Sequence, residues 1–93
     1  MSDKVNEGDD LLVSIDMKED LTTATSPKIL YIKPDGTPGL WNAAVSGTAI
    51  VYNASATETL GEGEWQFQAK ATMGGKIRRS EIVKQKFYKP LDL

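Results

Sequence analysis

Ser14, Ser26, Ser46, Ser55 and Ser80 are nucleophiles by residue type, but the chain contains no histidine to activate them. No Gly-x-Ser-x-Gly elbow occurs either, which leaves only a Ser–Lys arrangement for acyl-transfer chemistry. Glu62 and Glu64 are two carboxylates at the spacing of alternate strand positions. That spacing turns both toward solvent rather than setting them on opposite sides of a scissile glycosidic bond. Glu7, Asp9 and Asp10 form one acidic run, and Asp16, Glu19 and Asp20 form another. Oxygen ligands of this kind suit Ca²⁺, yet neither run follows the spaced Asp-x-Asp-x-Asp-Gly loop, and solvated acids account for both. The absence of cysteine removes thiolate nucleophiles, disulfides and Cys-ligated zinc. The chain is expected to be no enzyme, with no catalytic residue, metal or cofactor.

Contact chemistry is better represented. Lys76, Arg78, Arg79, Lys84, Lys86 and Lys89 all lie on or just after the last segment with strand character. Arg78, Lys84 and Lys86 share one face if a bulge falls near Arg79–Ser80. Three uses compete for this basic strip: phosphate binding, protection of an edge strand, and docking to an acidic neighbour. A net charge of −2 argues against nucleic acid as partner. Tyr31 and Trp41 flank the Pro34–Gly39 turn, where at least one exposed ring would stack on a sugar; Trp65 lies on a strongly patterned inner face and is assigned to the core. Leu91 and Leu93 follow Pro90 in a tail that would either fray or pack into a neighbouring subunit. The partner-contact candidates are therefore Arg78, Arg79, Lys84, Lys86, Leu91, Leu93, Trp41 and Tyr31.

The elements that must carry these groups are short strands. At 93 residues and 40% apolar composition the chain holds one modest core, hence one domain over residues 1–93. A polar lead-in covers residues 1–8 and a tail covers 89–93. No apolar run approaches the length that spans a membrane, and the acidic start from Met1 to Asp10 does not read as a secretory signal. Residues 1–46 carry four Lys against eight Asp and Glu, whereas residues 47–93 carry seven Lys and Arg against five acids. Such asymmetry favours head-to-tail contacts between copies or with a partner; an ordinary solvated surface is the alternative.

Helical periodicity is weak throughout, and alternation dominates. Leu11, Val13, Ile15 and Met17 point one way along the first clear strand. Strands follow over Lys28–Lys33, Leu40–Val45 and Thr48–Asn53, separated by Pro34-Asp35-Gly36 and Ser46-Gly47 turns. Glu64–Thr72 sets Trp65, Phe67, Ala69 and Ala71 on one face. After Met73-Gly74-Gly75 a long strand runs from Lys76 to Tyr88. With Lys4–Asn6 as a short edge strand this makes about seven strands at sandwich-like spacing, with a partly open barrel as the competing architecture. The expected core is built by Leu11, Val13, Ile15, Ile29, Tyr31, Trp41, Ile50, Trp65, Phe67, Ala69 and Val83.

The run Leu60-Gly61-Glu62-Gly63-Glu64-Trp65-Gln66-Phe67-Gln68-Ala69 resembles the lead into strand F of immunoglobulin-like domains. In those domains a Leu plugs the sandwich end and an aromatic, a core residue and a small residue alternate inward. Here Trp65 stands at the aromatic position and Phe67 where antibody domains carry cysteine. The resemblance implies that Leu60 is the plug and that an indole replaces the phenol of a tyrosine corner without its hydrogen bond. From about Val5 to Tyr88 the chain is also similar to small Ig-like virion proteins of tailed bacteriophages, near the N-terminal domain of the baseplate upper protein family. The residues that carry this are Glu19-Asp20-Leu21-Thr22, Ala24-Thr25, Tyr31 to Thr37, Trp41 with Ala43, Gly47 to Tyr52, and Gly63 to Gln66. This resemblance implies a seven-stranded antiparallel Ig-like β-sandwich without a disulfide, localised to a virion after synthesis in the bacterial cytoplasm. It further implies a structural role in a tail, baseplate, fibre or capsid surface, through contacts with other virion proteins and in several copies. A glycan- or receptor-binding module is the alternative.

Overall fold

A computed structural model describes residues 5–89. The described chain is all-β, with nine strands: β1 (Val5–Asn6), β2 (Leu11–Asp16), β3 (Thr25–Ile32), β4 (Pro38–Asn42), β5 (Ala44–Ser46), β6 (Ala49–Ala54), β7 (Gly63–Met73), β8 (Lys76–Arg79) and β9 (Val83–Tyr88). They form two sheets. The larger runs β1-β9-β7-β3-β4, with β8 also paired to β7, and the smaller runs β2-β6-β5.

Seven strands in wholly antiparallel sheets are corrected on two points. The expected Leu40–Val45 strand breaks at Ala43, where β4 leaves the larger sheet and β5 joins the smaller one; the Ala43 N–H donates to Pro27 O at 3.0 Å and pins the crossing. The expected Lys76–Tyr88 strand breaks into β8 and β9, which lie end to end along the same edge of β7. The sheet is also mixed, because β1 pairs parallel to β9, with Val5 opposite Phe87 and Asn6 opposite Tyr88.

Local chemistry explains the strand ends. Gly36 takes φ 89° and its N–H donates to Lys33 O, while the Asp35 carboxylate accepts from the Thr37 N–H, closing the β3–β4 turn. Gly74 and Gly75 both have positive φ, which is the demand of the two-residue hairpin joining β7 to β8.

Residues from both sheets build one buried cluster. Val13, Ile15, Ile50 and Ala54 come from the smaller sheet, and Ile29, Trp41, Trp65, Phe67, Ala69 and Phe87 from the larger. Eight of the expected core positions are buried, and Leu11 and Tyr31 pack partly buried against them. Val83 is corrected: it pairs with inward-facing Phe67, yet it is 41% exposed, because among the described residues β1 pairs with β9 only at Phe87 and Tyr88 and leaves this end of the edge uncovered. Leu60 is exposed, so it plugs nothing; Leu21, in the loop after β2, is buried instead. The indole of Trp65 does make a back-bond, its Nε1–H donating to Gly61 O at 2.7 Å, four residues upstream.

Candidate interaction surfaces

Strand register decides which faces the candidate residues share. On the larger sheet, directly opposed residues project to the same side. Lys70 of β7 stands opposite Lys28 on β3 and opposite Arg79 on β8. All three turn away from the core and form a row of cations across three strands. Lys84 stands opposite Gln66 and Lys86 opposite Glu64, which places them on that same outer face. Arg78 is opposite the buried Ala71 and therefore belongs to the other face. The expected grouping of Arg78 with Lys84 and Lys86 is corrected to Arg79 with Lys84 and Lys86. The break at Ser80–Ile82 reverses the alternation once between Arg79 and Val83, so Arg78 falls on the face opposite Lys84 and Lys86, and Arg79 joins them.

Ser80 holds this geometry. Its N–H donates to Ala69 O at 3.0 Å, its Oγ accepts from Ala69 N at 2.9 Å, and the Gln68 amide donates to Ser80 O at 2.9 Å. The hydroxyl also donates to Glu81 O at 2.8 Å, so it serves the backbone and is not poised as a nucleophile.

Between the cation row and Lys84 lies an apolar centre. Leu30 stands opposite Leu40, and Ile32 opposite Gln66 and Pro38. Ile82, from the strand break, is 58% exposed and Leu40 is 47% exposed. Together with Leu30, Ile32, Gln66 and Gln68, Ile82 lines a shallow groove of about 150 Å³. No motif marks this patch, because its members come from four separate segments.

Tyr31 and Trp41 are not surface rings. Trp41 is 6% exposed and lies between Tyr31 at 4.6 Å and Tyr52 at 4.7 Å. Tyr31 faces inward beside Trp65 at 5.5 Å, and its ring covers Gly39 on the neighbouring strand so closely that a Cβ there would overlap it. The expected sugar-stacking platform is thus part of the core, with the hairpin glycine making room for it. Leu91 and Leu93 lie outside the described residues.

The acidic groups serve turns. Asp16 accepts from the Lys18 N–H at 2.8 Å and Asp20 from the Thr22 N–H at 3.0 Å. The Lys18 N–H bond, reinforced by Thr48, holds the Asp16 carboxyl below the usual carboxylate range. Glu58 accepts from the Ser55 N–H at 2.9 Å and from the Tyr52 hydroxyl at 2.6 Å. Those two bonds, in that order, lower the Glu58 carboxyl, and the same contact raises the Tyr52 phenol. A carboxylate stabilised in this way is a weak base, and it fastens the loop after β6. Among the described residues no three acidic side chains come together to cage a metal ion.

The buried Thr59 gives no signal in the sequence beyond a polar connection. Its Oγ1 accepts from Gly8 N at 3.1 Å and donates to Asp9 O at 2.7 Å, joining the β1–β2 turn to the loop before β7. With this geometry in hand, comparison with known proteins adds no relative: no family model matches the chain, and no curated protein and no solved structure matches it.

Proposed function

We propose that this chain is a non-enzymatic Ig-like module of a tailed-phage virion, present in several copies and working through protein–protein contacts. The strand order supports the Ig-like part. β2, β6 and β5 stand in the order of strands B, E and D, and β9, β7, β3 and β4 in the order G, F, C and C′. The Trp65 indole bond to Gly61 O occupies the place of the tyrosine-corner bond. The virion assignment rests on the phage resemblance of the motifs from Glu19 to Gln66.

The observation that carries a contact role is the outer face of the larger sheet, where an apolar centre is bordered by Lys28, Lys70, Arg79 and Lys84. Like charges placed directly opposite one another weaken a sheet, and an anionic surface laid over the row would relieve that cost. The glycan alternative depended on Trp41 and Tyr31 as exposed rings, and their place in the aromatic core withdraws that support. Immunogold electron microscopy of purified particles with an antibody to this chain tests the proposal. Label at a repeated position on the tail, baseplate, fibre or capsid is expected; unlabelled particles from a culture that expresses the chain would refute it.

A further inference from the structure

β2 is an outer edge of the smaller sheet, with β6 on one side and, among the described residues, no strand on the other. The Met17 N–H donates to Thr48 O at 2.8 Å. Counting back by twos along the β2–β6 register turns the backbone groups of Ile15, Val13 and Leu11 toward β6. Those of Leu12, Ser14 and Asp16 face the open side. Two clefts of about 150 Å³ and about 370 Å³ lie on that side and share Ser14, Ile15 and Val83, so they form one trench along β2. Its floor is apolar at one end, where Val13, Phe67 and exposed Val83 meet. At the other end Asp16, Lys18, Arg79 and Glu81 line it. Edges elsewhere are guarded, since β4 begins with Pro38 and β5 is only three residues long. β2 is six residues long and carries neither proline nor lysine.

We infer that this trench receives an extended segment of a neighbouring protein, which adds to the smaller sheet as a strand beside β2. The inference rests on the Ig-like reading and its contact role: in the order A, B, E, D a strand A stands where β2 now has an open edge. The incoming backbone pairs with the N–H and C=O groups of Leu12, Ser14 and Asp16. Its side chains opposite Val13 and Ile15 turn inward onto Val83 and Phe67 and are therefore aliphatic. Those opposite Leu12 and Ser14 face solvent and are polar. The charged end of the trench presents both signs, so backbone pairing and alternation recognise the segment, and charge does not. The floor is β9 with β1 beyond it, so the larger sheet projects past β2 as a shelf. That shelf has room for one strand and obstructs a whole second sandwich, which is why the occupant is a lone segment.

Backbone NMR of the full chain, titrated with two capped peptides, is the test. One peptide alternates, Lys-Val-Thr-Val-Thr-Val-Lys; the other, Lys-Val-Val-Val-Thr-Thr-Lys, has the same composition without alternation. The alternating peptide should shift the amides of Leu12 and Ser14 and slow their hydrogen exchange, and it should bind about tenfold more tightly than its control. Val83→Asp, at an exposed position, should leave the chain folded and abolish binding. Ser14→Pro removes one edge N–H, which an edge strand tolerates, and should weaken binding by a similar factor. Four results would overturn the inference: no binding at millimolar peptide, equal binding of both peptides, shifts centred on β4 or β5, or Leu12 and Ser14 amides already protected in the chain alone. Self-association of the chain that Val83→Asp abolishes would also overturn it, by making a second copy the occupant. Particle occupancy separates this idea from the virion reading. A chain found in particles that binds neither peptide overturns the strand site alone. Selective binding by a chain absent from particles does the reverse.

Discussion

Ser80 and Ala69 exchange two hydrogen bonds at the point where β7 loses its regular partner: Ser80 N–H to Ala69 O at 3.0 Å, and Ala69 N–H to Ser80 Oγ at 2.9 Å. The side chain stands in for a missing backbone carbonyl, so β7 can be followed by β8 on one side of the break and β9 on the other. Ser80→Ala leaves the N–H of buried Ala69 without an acceptor and should cost about 1–3 kcal/mol. Urea unfolding should show it, and hydrogen exchange should show the Ala69 amide losing protection. An unchanged midpoint with a protected amide would contradict this role.

Tyr31 and Gly39 make a similarly specific pair. The ring lies where a Cβ on Gly39 would project, so Gly39→Ala must displace Tyr31 from its stack with Trp41. The expected loss is about 1–3 kcal/mol, in the range of overpacked cores. Tyr31→Leu should lose stability alone but make Gly39→Ala much less harmful in the double variant. Strict additivity of the two losses would show that the ring and the glycine are not coupled.

Thr59 should be intolerant of an isosteric apolar replacement. Thr59→Val fills the same space but strands Gly8 N–H and Asp9 C=O, at a cost of about 1–3 kcal/mol. Thr59→Ser keeps the hydroxyl and should lose less. If the valine variant matched the parent in thermal unfolding, water would be replacing both bonds.

The Tyr52–Glu58 pair gives the fold a pH signature with two limbs. The Glu58 carboxyl is lowered on folding, first by the Ser55 N–H and then by Tyr52. Its contribution is full above the ordinary glutamate value of about 4.3 and fades as pH falls through the lower folded value. Asp16 and Asp35, both lowered chiefly by backbone N–H bonds from Lys18 and Thr37, add to the same acid limb. The Tyr52 phenol is raised, chiefly by Glu58. Its contribution is full below about pH 10 and fades as pH climbs through the higher folded value. Glu58→Gln should shallow both limbs; unfolding midpoints across the pH range that kept both slopes would show that the pair does not titrate with folding.

Much of this architecture is legible in the residues. The alternation of Leu11 to Met17 and of Trp65 to Ala71 marks β2 and β7 and names most of the core, because half-buried strands write their burial in a period of two. Breaks are less legible. Ala43 and Ser80 interrupt strands whose apolar content continues through them, and only pairing partners far along the chain show where each half belongs. The break at Ser80–Ile82 reverses the alternation once, and that reversal puts Arg79 rather than Arg78 on the outer face with Lys84 and Lys86. Leu21 and Thr59 are buried from loops, where no periodicity exists to reveal them. Val83 has the pattern of a core residue, and its exposure follows from the uncovered edge beside β2. The apolar patch of Leu30, Ile32, Leu40 and Ile82 was invisible because register alone assembles it.

The most direct test of the structural-module account is quantitative mass spectrometry of purified particles from the source culture, normalised to the major capsid protein. The account predicts the chain in the particles at a fixed multiple copy number. A number comparable to the capsid protein would place it on the capsid surface, and a small fraction of that number would place it in the tail, baseplate or fibre. Absence from particles whose host culture expresses the chain would contradict the account.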